Sequence, residues 1–552
     1  MIFIEIIFFI LTSLILTLSL AGFGQLLNFK SNNNFFINIF YGLIVIAFLI
    51  TIIHFFIKIN VYLSFSLTLI GFFLGIQNIH FLKEKTKKNL LIYFLIFLIL
   101  IPIYITQKYH EDFGYYHLPY VINMISEKII FGLGNVNRAF VHNSIWLNVI
   151  SFFYLKDNIN LITLPSFISY IIFLIFSVNE IIKKNKNLFS NYFLIVIAFY
   201  LILKFTRISE FGNDIPSIIF SALSIYFFFR FIEEDEIEKK NIYFFNNFSF
   251  STFAILIKFS SIPVILLTFY LFLKNFRTLK NQIFNLNYLF IYALGIIFFL
   301  QQFIYTGCFI FPSEKTCLDV SWFDQNSLNA KYKLELVNKG YFGTSAKEIF
   351  TGEEYLKNFN WIPFWFQRNY TGMLEHLATM IFPLILFLLV SKKRVNQISL
   401  KFKEISFFIL FIIFGFIFWI SFSPVFRFGI VYFLSLVFIS SFFIYKKIIF
   451  SKKTFLLLLF LFLFFNFSKN IVRINTEKQV FFGIKKIENN FIENPFNENS
   501  LIQVFQPDQE AKEKKGNGWQ GRLCWDIKFL CTKNKIEITK KNNYLIIKKQ
   551  EK

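Results

Sequence analysis

Residues 242–273, IYFFNNFSFSTFAILIKFSSIPVILLTFYLFL, decide how this chain is threaded. The run is too long for one ordinary crossing, because about 20 apolar residues span the hydrocarbon core of a bilayer. Lys258-Phe259-Ser260-Ser261 interrupts it near the middle, so it reads as two short helices, 242–257 and 262–273, meeting at that break. Further apolar runs lie at 2–27, 35–57, 61–82, 90–106, 159–182, 188–206, 214–232, 288–306, 373–391, 406–422, 428–445 and 454–468, giving 14 spans. Charge tests that count. Placing Lys83-Glu84-Lys85-Thr86-Lys87-Lys88 in the cytoplasm puts both termini outside. The clusters Lys183-Lys184, Lys239-Lys240, Lys274 with Arg277 and Lys280, Lys392-Lys393-Arg394, and Lys446-Lys447 with Lys452-Lys453 then all fall inside. Short loops rich in Lys and Arg belong on the cytoplasmic side. A single span over 242–273 breaks this alternation from there onward.

A hydrophobic share of 56% and a mean hydropathy of +0.57 over 552 residues exceed what a soluble domain carries. The expectation is an all-α, multi-pass membrane protein surrounded by lipid. A net charge of +23 does not point to nucleic acid, because the lysines sit mostly in short loops between apolar runs. The first run carries Glu5, lacks a basic start and is too long for a cleaved signal, so it reads as the first span.

Three outer segments, 107–158, 307–372 and 469–552, are long enough to do work. They divide the chain into a three-helix segment (1–89), a membrane core (90–306) carrying the loop 107–158, the loop 307–372, later helices (373–468) and a small C-terminal domain (469–552). Cys308 and Cys317 share one outer loop, and Cys524 and Cys531 share the tail. An oxidising periplasm permits two disulfides there, and bonding within each pair is the simplest of three pairings. Alternation in Lys535-Ile536-Glu537-Ile538-Thr539 and Tyr544-Leu545-Ile546-Ile547, around Lys541-Asn542-Asn543, predicts a hairpin and hence β-structure in the tail. Trp322, Trp361 and Trp365 suit interfacial anchors. Pro119 suits a first helical turn, and Val121, Ile122, Ile125 and Ile129 recur on one face, predicting an amphipathic helix in the interface.

Just before that helix stands His110-Glu111-Asp112-Phe113-Gly114-Tyr115-Tyr116-His117. Charged groups at a membrane surface are costly to keep and read as functional candidates. One carboxylate of the pair can deprotonate a hydroxyl while the other holds a metal or orients a substrate. Glu111 and Asp112 are thus catalytic candidates, with Tyr116 and His117 beside them for substrate. The simpler reading is that both carboxylates cap the helix and face water. Arg207-Ile208-Ser209-Glu210-Phe211-Gly212-Asn213-Asp214-Ile215-Pro216 falls on the same side. Glu210 and Asp214 can complete the site, although Asp214 with Pro216 is also an ordinary helix-start signal. Lys258, at the break, and Arg427, in Ser423-Pro424-Val425-Phe426-Arg427, are outer cations suited to a phosphate; for Lys258, snorkelling to the headgroups is the alternative. His110, Asp112 and Asp214 form a candidate ligand set for a divalent metal.

This pattern resembles the GT-C superfamily of polyprenyl-phosphate-sugar-dependent membrane glycosyltransferases. The features that match are Glu111/Asp112 after a span, Asp214 opening a later one and Lys258 between two short helices, within roughly Leu90–Leu273. The resemblance implies that Glu111 or Asp112 is the catalytic base or a metal ligand and that Lys258 contacts the lipid phosphate. The order Glu-Asp departs from the commoner Asp-Glu, and three helices precede the matching unit. The remainder is similar to an uncharacterised group of bacterial multi-pass membrane proteins, through the Cys308/Cys317 loop, Pro424 to Gly429 and Cys524-Trp525 to Leu530-Cys531. The function expected is transfer of a sugar from a polyprenyl-phosphate donor to a glycan, lipid or protein acceptor at the periplasmic face of a bacterial inner membrane. A lipid-linked glycan polymerase or ligase is the rival enzyme. A transporter or flippase is the rival without chemistry, and it predicts pseudo-symmetry and charges near mid-membrane.

Overall fold

The computed structural model describes residues 2–27, 34–77, 90–106, 112–154, 159–183, 189–205, 212–342, 344–390, 402–444, 452–476, 491–493, 502, 504–507, 524 and 530–550. Among them, eight helices are long and apolar enough to cross a membrane, and five further apolar helices are shorter. The described residues are mostly helical, with two short antiparallel strand pairs near the C-terminus. Several of the basic loops used to count crossings, 83–88, 392–394 and 446–447 among them, lie outside the described residues.

The first three helices, α1 (Ile2–Gly24), α2 (Phe35–His54) and α3 (Val61–Gln77), pack as a tight trio. A Cβ on Gly22 would lie 2.0 Å from the Gly71 carbonyl oxygen, and one on Gly42 would lie 1.9 Å from that of Leu20. Small residues let helix backbones meet where lipid supplies no hydrophobic push. α4 (Leu90–Ile105) then leads to two short helices, α5 (Leu118–Ser126) and α6 (Ile145–Phe152). The core follows as α7 (Leu164–Ile182), α8 (Phe189–Lys204), α9 (Asp214–Glu233) and α10 (Ile237–Ile257).

The chain breaks at Lys258, as its sequence predicts. Lys258 is extended (φ −156°, ψ 121°), a six-residue 3-10 turn Phe259–Val264 follows, and α11 (Ile265–Lys274) runs back along α10. Pro263 within the turn has no N–H for an α-helical ladder. Thr268 donates to Asn247 Oδ1 at 2.6 Å and meets the Ser251 hydroxyl at 3.0 Å, which ties the two arms together. The first arm is longer than expected, starting at Ile237 rather than 242. α12 (Leu286–Thr306), α13 (Trp361–Val390), α14 (Phe402–Phe422), α15 (Phe426–Ile444) and α16 (Lys452–Thr476) complete the bundle.

The bundle has two chemically different ends. The starts of α9 and α15 and the break at Lys258 meet at one, the site end. Glu180, Glu233, Lys274, Glu404 and Lys452 gather at the opposite one. Near the site end a buried network of neutral polar groups replaces charge. Asn148 donates to Thr51 Oγ1 (2.9 Å) and Gln301 Oε1 (2.8 Å), Asn143 donates to the same Gln301 oxygen (3.0 Å), and the Tyr120 hydroxyl donates to Asn148 Oδ1 (3.0 Å). Such interhelical bonds contribute about 0.6 kcal/mol each in a membrane. Here they fasten α2, α5, α6 and α12 to one another.

Three expectations are corrected. The helix after Pro119 has nine residues and ends at Ser126, short of Ile129, and Leu118–Met124 are all buried in protein, so it is not a surface amphipathic helix. Its apolar face packs on α6 and its polar residues join the network above. The loop 307–372 ends early, because Trp361 already starts α13. Trp361 and Trp365 are 2% and 5% exposed, packed against protein rather than anchored in headgroups. Finally, the tail is docked rather than separate. Its hairpin, Ile536–Lys541 with Tyr544–Lys549, turns at Asn542 and Asn543 (φ 49° and 63°) as the sequence predicts. It then lies against the site end: the Asn135 amide donates to the Ile547 carbonyl at 2.9 Å, and the Tyr544 hydroxyl to that of Phe55 at 3.1 Å. The disulfides join Cys308 to Cys317 and Cys524 to Cys531.

Candidate functional site

Asp214 is the first residue of α9, where the positive end of the helix dipole favours a carboxylate. It does not cap the helix. That position belongs to Asn213, whose side chain makes no capping bond and whose Oδ1 is buried without a hydrogen-bond partner among the described residues. The Asp214 carboxylate instead faces two cations. Its Oδ1 accepts from Lys258 Nζ, and its Oδ2 lies 3.5 Å from Arg427 Nε.

Each cation is delivered by a built turn. Lys258 stands where α10 stops, its own N–H donating to the Ala254 carbonyl at 2.9 Å and its carbonyl accepting from Ser261 N at 3.0 Å. Arg427 follows the α14–α15 turn, which two indoles hold. Trp365 Nε1 donates to the Pro424 carbonyl (2.7 Å) and Trp419 Nε1 to that of Val425 (2.8 Å). The Phe428 ring lies 3.4 Å beneath Lys258 Nζ and 5.4 Å from the Arg427 guanidinium, a cation–π contact for both. The Lys258 and Asp214 side chains are 20% and 26% exposed, so the pair is reachable rather than sealed.

A narrow cleft of about 10 Å³ lies at this cluster, with Ser217, Ser221, Ser260, Ser261 and Tyr432 completing its walls. Ser217 and Ser261 hydroxyls meet at 2.8 Å, and the Tyr432 hydroxyl donates to the Ser260 carbonyl at 2.5 Å. The cleft has room for about one water, so a larger group enters only where the ion-paired side chains give way.

The first acidic motif comes to the same end. Asp112 precedes a π-helical turn, Phe113–His117, and its side chain does not cap it, so the capping alternative fails for this residue. Asp112 and Lys258 interact through their charges, as do His117 and Asp214. The Tyr116 and His117 rings pack at 4.1 Å, and His117 is 4% exposed. The tail holds this turn: Cys524 N donates to the Gly114 carbonyl at 2.8 Å, and the Asn137 amide to that of Tyr115 at 2.8 Å. His110, Glu111 and Glu210 lie outside the described residues. Among the described residues, no three His, Cys, Asp or Glu side chains gather as metal ligands. Asp214 is occupied by two cations, and of the candidate ligand set only Asp112 and Asp214 fall within the described residues.

The structure adds a second cluster next to the first. Lys204, ending α8, donates to Glu375 Oε1 at 2.7 Å, and the Tyr200 hydroxyl meets His376 Nδ1 at 2.8 Å. The His376 ring packs on Phe426 at 4.7 Å, next to Arg427, and Tyr200 feels the charge of Asp214. One signal could have found it: Glu375-His376 is a charged and a titratable residue inside an apolar helix, where such groups are expensive.

Residues 1–434 match a family model described as a domain of unknown function, DUF8201, and the chain belongs to that family. No curated protein and no solved structure matches.

Proposed function

We propose that this member of the DUF8201 family is a GT-C-like membrane glycosyltransferase that moves a sugar from a polyprenyl-phosphate donor to an acceptor at the periplasmic face. In this reading the chain crosses the bacterial inner membrane fourteen times, and the site end is the periplasmic one. One observation carries the proposal: Asp214 lies between Lys258 and Arg427 at a reachable cleft, with the Asp112 charge close enough to act on Lys258.

The chemistry divides among these groups. The donor phosphate meets the free sides of the two cations as their side chains shift to widen the cleft, while sugar and acceptor extend toward Asp112 and Tyr116. Asp112 accepts the proton of the acceptor hydroxyl. The acceptor oxygen bonds to the anomeric carbon as the carbon–oxygen bond to phosphate breaks, and that electron pair leaves with the phosphate. Attack from the face opposite the leaving group inverts the configuration. Lys258 and Arg427 meet the growing negative charge, and preorganised charge of this kind is usually the largest catalytic contribution. Asp214 holds both cations in register through the cycle.

The test is replacement of Asp112 by Asn and of Lys258 by Met in cells that depend on the protein for a surface glycan. The expected result is loss of the glycan and accumulation of lipid-linked donor at normal protein levels. A glycan of unchanged amount and composition in both variants would reject the reading.

A further inference from the structure

The outer wall of the bundle, away from the charged cleft, carries a second concave feature. Between α4 and α16 runs a shallow apolar groove of about 610 Å³, lined by Ile99, Leu456, Leu457, Phe460, Leu461 and Phe464, with Lys453 at one end. On α16 these positions advance by three or four residues at a time, so they form one straight stripe. Leu457, Leu461 and Phe464 are 57%, 54% and 66% exposed, so no other part of the described chain covers them.

We infer that this groove is a binding site for an anionic glycerophospholipid, its acyl chains along the stripe and its headgroup on Lys453. Two observations select that occupant. The first is length. From Lys453 to Phe464 is eleven residues, about 16 Å of helix rise, which is half of the roughly 30 Å hydrocarbon core. The lined stretch thus matches the depth of one leaflet. The second is charge. Lys453 is exposed and makes no ion pair among the described residues, whereas its neighbour Lys452 is spent on the carbonyls of Ile182 (2.7 Å) and Lys183 (2.6 Å) at the end of α7. An ammonium at the headgroup level above an apolar stripe recognises negative phosphate and a chain together. The inference requires only that the bundle sits in a bilayer, and it holds whether or not the cleft transfers sugar.

The test uses the full-length protein purified in detergent. Native mass spectrometry would follow its titration with dioleoyl phosphatidylglycerol and with dioleoyl phosphatidylcholine. The wild type is expected to hold one phosphatidylglycerol about five-fold more tightly than phosphatidylcholine, the ratio one lysine near a headgroup supplies. Lys453→Gln is expected to bring the two lipids level. Leu457→Trp, which fills the groove from an exposed position, is expected to weaken both. Lys403→Gln, at an exposed lysine of the same end outside the groove, serves as the control and leaves the ratio intact. Equal retention of the two lipids by the wild type overturns the inference. So does a loss in Lys403→Gln as large as in Lys453→Gln, or a dimer that dissociates in Leu457→Trp.

Discussion

Among the described residues, the two ends of this bundle use their charges differently. At the end opposite the site, most ion pairs are local or one-to-one. Glu180 and Lys183, and Glu236 and Lys239, are three residues apart, and Lys274 pairs with the buried Glu404. At the site end, Asp214 is shared by two cations from 44 and 213 residues away, and Lys204 reaches Glu375 across 171 residues. Local pairs satisfy themselves and leave nothing over. A carboxylate caught between two cations, with the Asp112 charge acting on one of them, gathers both cations at one cleft.

If that contrast is functional, mutations at the two ends must separate activity from stability. The largest effect is expected for Lys258→Met, which removes charge aimed at the leaving phosphate. Sugar transfer in isolated membranes should fall about 100-fold or more, and a loss under three-fold would break the comparison. Glu404→Gln at the opposite end should cost about 2 kcal/mol of stability, as a buried charge contact is lost and half-exposed Lys274 turns to water. Its thermal unfolding midpoint in detergent drops while transfer per folded molecule stays at the wild-type level.

A smaller and mixed outcome is expected from Cys524→Ser combined with Cys531→Ser. Opening that seven-residue link costs about 2 kcal/mol. It also loosens the backbone bond from Cys524 to Gly114, so transfer declines a few-fold while donor binding is kept. If transfer and binding fall together, the tail is a general support and does not tune the Asp112 turn. Smallest of all is Lys239→Ala, which breaks an exposed pair with Glu236. Neither the unfolding midpoint nor the transfer rate should move, since such surface pairs are worth little.

Much of the helical framework is legible from composition and spacing. The break at Lys258 could be read because a lysine, two serines and a proline interrupt an apolar run at mid-length, and each resists a continuous buried helix. The hairpin at Asn542-Asn543 could be read because few residues other than glycine and asparagine accept two successive left-handed conformations. Trp365 was misjudged because an indole suits the headgroup region and a buried N–H donor bond equally well. The fate of its ring was decided by Pro424, 59 residues away. The helix after Pro119 was misjudged for a related reason, since an apolar stripe does not say whether lipid or another helix covers it.

By itself the sequence determined the local matters: where helices start and break, that the chain is built for a bilayer, and which loops carry cysteines. These follow from hydrophobicity, backbone conformational preference and charge, which act over a few residues. Only the tertiary structure decided that Asp214 is clasped by Lys258 and Arg427, that Glu375 and His376 stand next to them, and that the tail grips the Gly114 turn. Long-range pairing depends on which helix faces pack together. In a chain this rich in Phe, Ile and Leu, many faces are equally apolar, and three-dimensional fit chooses among them.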